Sequence, residues 1–266
     1  MFEEIIVINL ERSEDRRKMV EEQLQKTGLK YRIFPAYDGS LIQNPGLKKL
    51  TRRPMSAFSF GNPKRARFSQ GALCCALSHM AAIKYAQMMD LKGVLILEDD
   101  VILSNDFLER LKLLKQVPYD AQVVYLGAIA YHSNLSKKYK ISENVWNVKM
   151  MGFYGMHSYI VTRKGYAAVI KEIMNLDDTC DSFLPEAIKA ERLKGYGLFP
   201  FCVYQLGGTS DIDGKKKTLN YTKTLYSPDS KFKNMAGYDR KTKTNLVDIK
   251  TEYSYEKSNP KAKSLL

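Results

Sequence analysis

Residues 93–103 read GVLILEDDVIL, and this stretch restricts the fold more tightly than any other. Gly93 to Leu97 have the length and apolar composition of a buried strand. Glu98, Asp99 and Asp100 follow at once, and then Val101, Ile102 and Leu103. Adjacent carboxylates repel one another, and each costs free energy to desolvate. A strand that ends this way beside a core needs a compensating partner for its charges. In α/β sheets, ligands collect outside the carboxyl ends of strands. One hard divalent cation would neutralise the triplet and bridge to a diphosphate, because Mg²⁺ and Mn²⁺ prefer oxygen ligands. The same residues also suit a solvated turn, with Asp99 or Asp100 capping the next helix. A Walker B strand is excluded by the absence of GxxxxGK[ST], and a dinucleotide-binding turn by the absence of GxGxxG.

The surrounding pattern alternates strand and helix. Residues 4–10 (EIIVINL) form a strand, and Ser13 is placed to cap a helix that runs to about Thr27 and stops at Gly28. KYRIFPA is the second strand. Residues 38–69 lack periodicity and hold Pro45, Pro54 and Pro63 beside Arg52, Arg53, Lys64, Arg65 and Arg67. A loop of that length inside a domain is functional or disordered. Gln70–Met89 reads as a helix with Ala72, Cys75, Ala76 and Ala82 on its face, small enough to lie close to a sheet. Beyond GVLILEDDVIL come a helix over about 105–115, the strand AQVVYLG, and loop and edge structure over 128–150. The strand HSYIVT, the helices KGYAAVIKEIM and DSFLPEAIKAERL, and a last strand YGLFPFCVY complete the body. This alternation predicts an α/β fold.

The chain has 266 residues, which suits one large domain or a domain with a tail. We divide it into a domain over 1–214 and a basic extension over 215–266. Net charge is +13, and the last 52 residues carry 13 basic against 5 acidic side chains. Such a tail is a solvated segment or an anion- or acceptor-facing one. A polyanion-binding protein without catalysis is the reading from another class, with aromatics among lysines in YTKTLYSPDSKFK in its favour. It leaves three carboxylates at a strand end unexplained. Cys74, Cys75, Cys180 and Cys202 form no CxxC pair, which favours reduced core thiols. Neither a signal-peptide pattern nor 18 consecutive apolar residues occurs, so the chain as written is expected to be cytoplasmic and without a membrane span.

Two further stretches carry chemistry. VINLERSEDRR (7–17) places Arg12, Arg16 and Arg17 around a strand end and helix start, which suits phosphate or an ordinary charged helix surface. FSQGALCCALSH (68–79) places His79 among small residues, where a hydrogen-bonded core histidine is the default over a ligand. Asp38-Gly39 is a turn signal.

Taken in order, VINLERSEDRR, AYDGS, FSQGALCCALSH, VLILEDDVIL, VVYLG, SYIVTRKGYAAVI, CDSFLPEAI and SDID resemble glycosyltransferase family 25 over roughly residues 4–213. That family includes lipopolysaccharide sugar transferases and procollagen galactosyltransferases, and DSFLP looks more like the collagen-type branch. The resemblance implies a single GT-A-like domain with a mostly parallel nucleotide-binding sheet flanked by helices. It implies an inverting, metal-dependent transfer of a hexose, galactose from UDP-galactose, to a hydroxyl of a collagen-like protein or of a saccharide. Nucleic acid is not an expected partner.

By the same resemblance, Asn9, Leu10, Arg12, Arg16, Asp38, Gly39, Gln70, Gly71, Ser78, His79, Glu98 and Asp99 border the donor. Asp100, Glu98 and Asp211 are the candidate ligands of Mn²⁺ or Mg²⁺, with Asp100 first and Asp99 the most structural of the triplet. Asp213 completes the metal site or lies in a solvated turn. Asp181 matches an acid of the family and is the candidate general base, or equally a helix N-cap. His157 is a ligand or a structural histidine at a strand edge. The chain departs from the family at Cys74-Cys75, where Gly-Cys is usual, and at Ala72, where an acid is usual.

Overall fold

The computed structural model describes residues 1–41, 70–132, 137–149, 152–175, 180–199, 201–205, 208–209 and 216–217. The basic cluster at 52–67, Asp211, Asp213 and all of the basic extension except Lys216–Lys217 lie outside the described residues.

β1 (Glu4–Asn9), α1 (Glu14–Gln25) and β2 (Tyr31–Pro35) open the fold, and α2 (Gln70–Met88) is the next described element. β3 (Gly93–Glu98) and the short β4 (Val101–Leu103) flank a two-residue turn at Asp99–Asp100. α3 (Phe107–Lys112), β5 (Val123–His132), β6 (Val145–Asn147), β7 (Gly152–Thr162), α4 (Tyr166–Met174) and α5 (Cys180–Lys189) come next. β8 (Gly195–Leu198), β9 (Val203–Gln205), β10 (Gly208–Thr209) and β11 (Lys216–Lys217) end the described chain.

The main sheet has seven strands in the order β2-β1-β3-β7-β5-β8-β6. β1 pairs in parallel with β2 and β3, and β5 in parallel with β8. β7 runs antiparallel to β3 and β5, and β6 antiparallel to β8. Five of the seven strands therefore share one direction, the mostly parallel α/β architecture expected of a GT-A-like domain.

Both faces are covered, as the near-continuous apolar runs of β1 and β3 require. Alternation divides them: Ile6, Ile8, Val94 and Ile96 pack with α2, α4 and α5, whereas Ile5, Val7, Leu95 and Leu97 pack with Val20 and Leu24 of α1 and with Phe107. Ala72, Ala76, Ala82 and Ala86 of α2 are buried, so small side chains let this helix approach the sheet. Cys74 and Cys202 are buried and Cys75 is half-buried, and none of the three is in a disulfide.

The structure differs from the expected elements in three places. The last strand is two strands: β8 joins the main sheet, while β9 leaves it and pairs antiparallel with β4. Pro200 lies between them in sequence and has no amide hydrogen for a ladder. β5 runs to His132 and β6 lies at the sheet edge, in part of what reads as loop and edge structure. His157 is on β7, which is interior to the sheet rather than at its edge, and the residue is wholly buried.

Candidate active site

Strand order defines the site. From β1 the chain crosses outward to β2 and then returns to the other side of β1 as β3. A crevice opens where such connections diverge, outside the carboxyl ends of the strands. Asn9 ends β1, Pro35 ends β2 just before Asp38, and Glu98 ends β3. All three ends are level, because Asn9 pairs with Pro35 and Ile8 with Glu98.

The three carboxylates of the triplet differ in surroundings. Asp99 is buried and held on both oxygens: Asn9 donates to Oδ2 at 2.7 Å, and Arg16 lies 3.2 Å from Oδ1. Arg16 also donates to the Ser13 hydroxyl at 3.1 Å, so Ser13 makes no side-chain cap to α1. Asp99 thus ties the β3 turn to the start of α1. Glu98 and Asp100 are half-buried, and one side chain reaches both. Gln205, the last residue of β9, donates through Nε2 to Glu98 Oε2 at 3.3 Å and to Asp100 Oδ2 at 3.1 Å.

A second cluster surrounds Asp38. Its Oδ1 accepts from the Ser40 amide at 2.8 Å and the Ser40 hydroxyl at 2.6 Å, and its Oδ2 lies 3.1 Å from Arg12 Nε. The Ser40 hydroxyl, aided by the Ser40 amide and Arg12, holds this carboxyl below the usual range against the opposing effect of burial. Gly39 sits where a Cβ would stand 3.2 Å from the Gln70 carbonyl and the Gly71 amide. Absence of a side chain there lets the Asp38 turn rest on the start of α2. Ser78 is buried with its hydroxyl engaged twice, accepting from the Tyr37 amide at 2.9 Å and donating to the Cys74 carbonyl at 2.7 Å. It anchors the exit from β2. The Leu10 carbonyl accepts from the Ser13 amide at 2.8 Å, closing the turn into α1.

His79 joins the two clusters from α2. Its Nδ1 is 2.9 Å from the Tyr159 hydroxyl and its Nε2 is 3.3 Å from Glu98 Oε1. Burial opposes the charged imidazolium, but hydrogen bonds to Cys75 and Glu98 outweigh it and push the His79 pKa up to about 10. Asp181 lies in the first turn of α5, which packs on β7 and α2. Burial, with the negative charge of Asp181 adding to it, pushes the Tyr125 phenol well above its ordinary value. Tyr125 packs tilted on Tyr159 with ring centroids 6.2 Å apart. Tyr125, Tyr159, His79 and Glu98 thus follow one another by ring contact and hydrogen bond toward the turn after β3, and Asp181 is near enough for its charge to act on Tyr125.

His157 packs over Gly127, where an added Cβ would lie 2.7 Å from its Nε2 and 2.2 Å from the Val203 carbonyl oxygen. It belongs to the packing of β5 and β7 against β9. Gln205, Cys75 and Tyr159 have no place in the residue set expected from sequence. Cys75 and His79 share a helix face at i and i+4, which is visible in FSQGALCCALSH. Gln205 carries no local signal, because its partners lie more than 100 positions away.

This arrangement is an α/β crevice with an acidic strand end and flanking arginines. Residues 2–184 match the model of glycosyltransferase family 25 (LPS biosynthesis protein). The chain belongs to glycosyltransferase family 25. It is similar to procollagen galactosyltransferase 2 of Homo sapiens, 27% identical over 170 residues, covering 62% of this chain and 26% of that one. A putative glycosyltransferase of Haemophilus influenzae is 28% identical over 191 residues, covering 68% of this chain and 62% of its own. The inactive glycosyltransferase 25 family member 3 of Homo sapiens is 28% identical over 131 residues, covering 47% of this chain and 22% of that one. The chain therefore spans about a quarter of the length of the human relatives it matches. Among the described residues, no helix is long and apolar enough to cross a membrane.

Proposed function

We propose that this chain is an inverting hexosyltransferase that uses a UDP-sugar, UDP-galactose in the first instance, and passes the sugar to a hydroxyl. The acceptor in this reading is hydroxylysine of a collagen-like protein. One observation carries the proposal: Glu98 and Asp100 converge at the crevice, and the Gln205 amide hydrogens face both. A positively polarised donor between two carboxylates marks a place suited to a cation. Their oxygens fit Mn²⁺ or Mg²⁺, and such an ion, when bound, stabilises the charge that grows on a leaving diphosphate.

The chain's own residues supply the rest. Arg12 and Arg16 stand at the start of α1, where the helix dipole adds to their charge and favours phosphate. Asp38 and Gly39, held against Gln70 and Gly71, form a wall suited to the nucleoside. Asp181 takes the proton of the acceptor hydroxyl as that oxygen attacks the anomeric carbon and the diphosphate departs on the opposite face.

Calorimetric titration with UDP, with and without Mn²⁺, tests the donor half. We expect metal-dependent binding that Asp100→Ala abolishes; absence of UDP binding under any metal would sink the proposal. Screening a panel of UDP-sugars for hydrolysis, then for transfer to a hydroxylysine peptide and to saccharides, identifies sugar and acceptor. A saccharide acceptor is the second reading, favoured by the description of the matching family as an LPS biosynthesis protein.

A further inference from the structure

We infer that Cys75, His79 and Glu98 form a second metal site, one that takes a thiophilic divalent ion such as Zn²⁺ on the α2 side of Glu98. A sulfur, a nitrogen and an oxygen donor from these three residues all lie within 4.8 Å of one another. Cys75 and His79 are one turn apart on α2, so their side chains rise from one helix face. α2 packs on β3, which brings Glu98 against that face.

The orientation of His79 is the second observation. Histidines that ligate metals generally donate their other ring nitrogen to a hydrogen-bond acceptor, which fixes tautomer and ring plane. The Tyr159 hydroxyl stands 2.9 Å from Nδ1 and provides that acceptor. With Nδ1–H donating to Tyr159, Nε2 faces Glu98 Oε1; in the metal-free protein Nε2 carries a proton directed at that oxygen, and on binding it gives its lone pair to the ion. Tyr159 is wholly buried on the interior strand β7, so the ring is held rigidly.

Glu98 divides its two oxygens. Oε1 faces His79 on the α2 side, and Oε2 faces Gln205 on the Asp100 side. One carboxylate thereby borders a mixed sulfur, nitrogen and oxygen set and an all-oxygen set. The first set suits Zn²⁺ and the second suits Mn²⁺ or Mg²⁺. Three protein donors leave a fourth tetrahedral position for water, as in open zinc sites. On binding, the Cys75 S–H and His79 Nε2–H bonds break, the thiolate sulfur and the ring nitrogen bond the ion, and both protons pass to solvent. The Cys75–His79–Glu98 site stands on its own geometry; only its influence on UDP binding rests on the proposed Glu98–Asp100 pair. Zn²⁺ held here draws Glu98 toward α2, so it weakens Mn²⁺-dependent UDP binding.

Co²⁺ is the probe, because thiolate ligation gives it a near-ultraviolet charge-transfer band that oxygen ligation does not. The reduced, metal-free full chain is titrated with Co²⁺ and then with Zn²⁺. We expect the band to appear, to be displaced by Zn²⁺, to persist in Cys74→Ser and Asp100→Asn, and to vanish in Cys75→Ser with circular dichroism unchanged. Tyr159→Phe keeps all three donors and loosens Co²⁺ by about 10–100-fold. No band in the parent chain, or a band of equal strength in Cys75→Ser, overturns the site. Intact Co²⁺ binding with no UDP binding sinks the donor reading alone, and UDP binding without the Co²⁺ band sinks this one alone.

Discussion

At the scale of single residues, Asp99 shows why a costly carboxylate is tolerated near the core. Asn9 and Arg16 supply a hydrogen bond and a counter-charge, one to each oxygen. Asn9→Leu leaves Oδ2 without its donor, which costs about 1–3 kcal/mol. A domain of this size loses about 2–4 °C of melting temperature per kcal/mol, so scanning calorimetry resolves the change. An unaltered melting temperature would show that the Asn9 contact contributes nothing. Asp38 yields a pH prediction. Its folded pKa is depressed, so its contribution is present above the unfolded value of about 3.8 and is lost as pH falls through the lower folded value. Asp38→Ala should therefore melt below the parent chain at neutral pH, and the gap should close in acid below the folded value. A gap constant down to the most acidic condition would contradict this. For catalysis, Asp181→Asn is expected to lower transfer by about 10²–10⁴-fold while Mn²⁺-dependent UDP binding is kept. Equal loss of both would make Asp181 structural.

Elements explain what a local reading of the chain reaches and what it does not. β1, α1, β2 and α2 are legible because their signals are local: apolar runs, acids at a helix start, Gly28 at φ 68° just past the helix end. The turn after β3 is legible for the same reason, since carboxylates cannot continue a buried strand. The antiparallel direction of β7 is not, because pairing with β3 and β5 depends on where a distant segment docks. The split of YGLFPFCVY has a local cause in Pro200, but the partner that β9 then finds, β4, lies about a hundred positions earlier. Gln205 escapes for that reason. Gln205→Leu is expected to lower Mn²⁺ affinity by about 10–100-fold, because Glu98 and Asp100 lose the donor that faces both; isothermal titration with Mn²⁺ checks it. Gly127→Ala forces a methyl against the Val203 carbonyl, at a cost of about 1–3 kcal/mol for overpacking. Urea denaturation measures that cost, and an unchanged midpoint would mean that β5 and β9 are not in close contact.

On the scale of the whole molecule, the crevice is a product of strand order. Residues from β1, β2 and β3 meet because three parallel strands end level, not because they are near in sequence. The mouth is then closed from the far end of the domain: β9 lies across β4 and brings Gln205 to the acidic turn. That late closure has a consequence for the protein while it is being made. Domains are synthesised from the N-terminus, and contacts between distant segments wait for the later one. A nascent chain that has passed the acidic turn already carries its carboxylates but has neither β7 beside β3 nor Gln205 between Glu98 and Asp100. Its crevice stays incomplete until β9, which follows every strand of the main sheet in the chain, has emerged from the ribosome, so the site is assembled only after that sheet has been made.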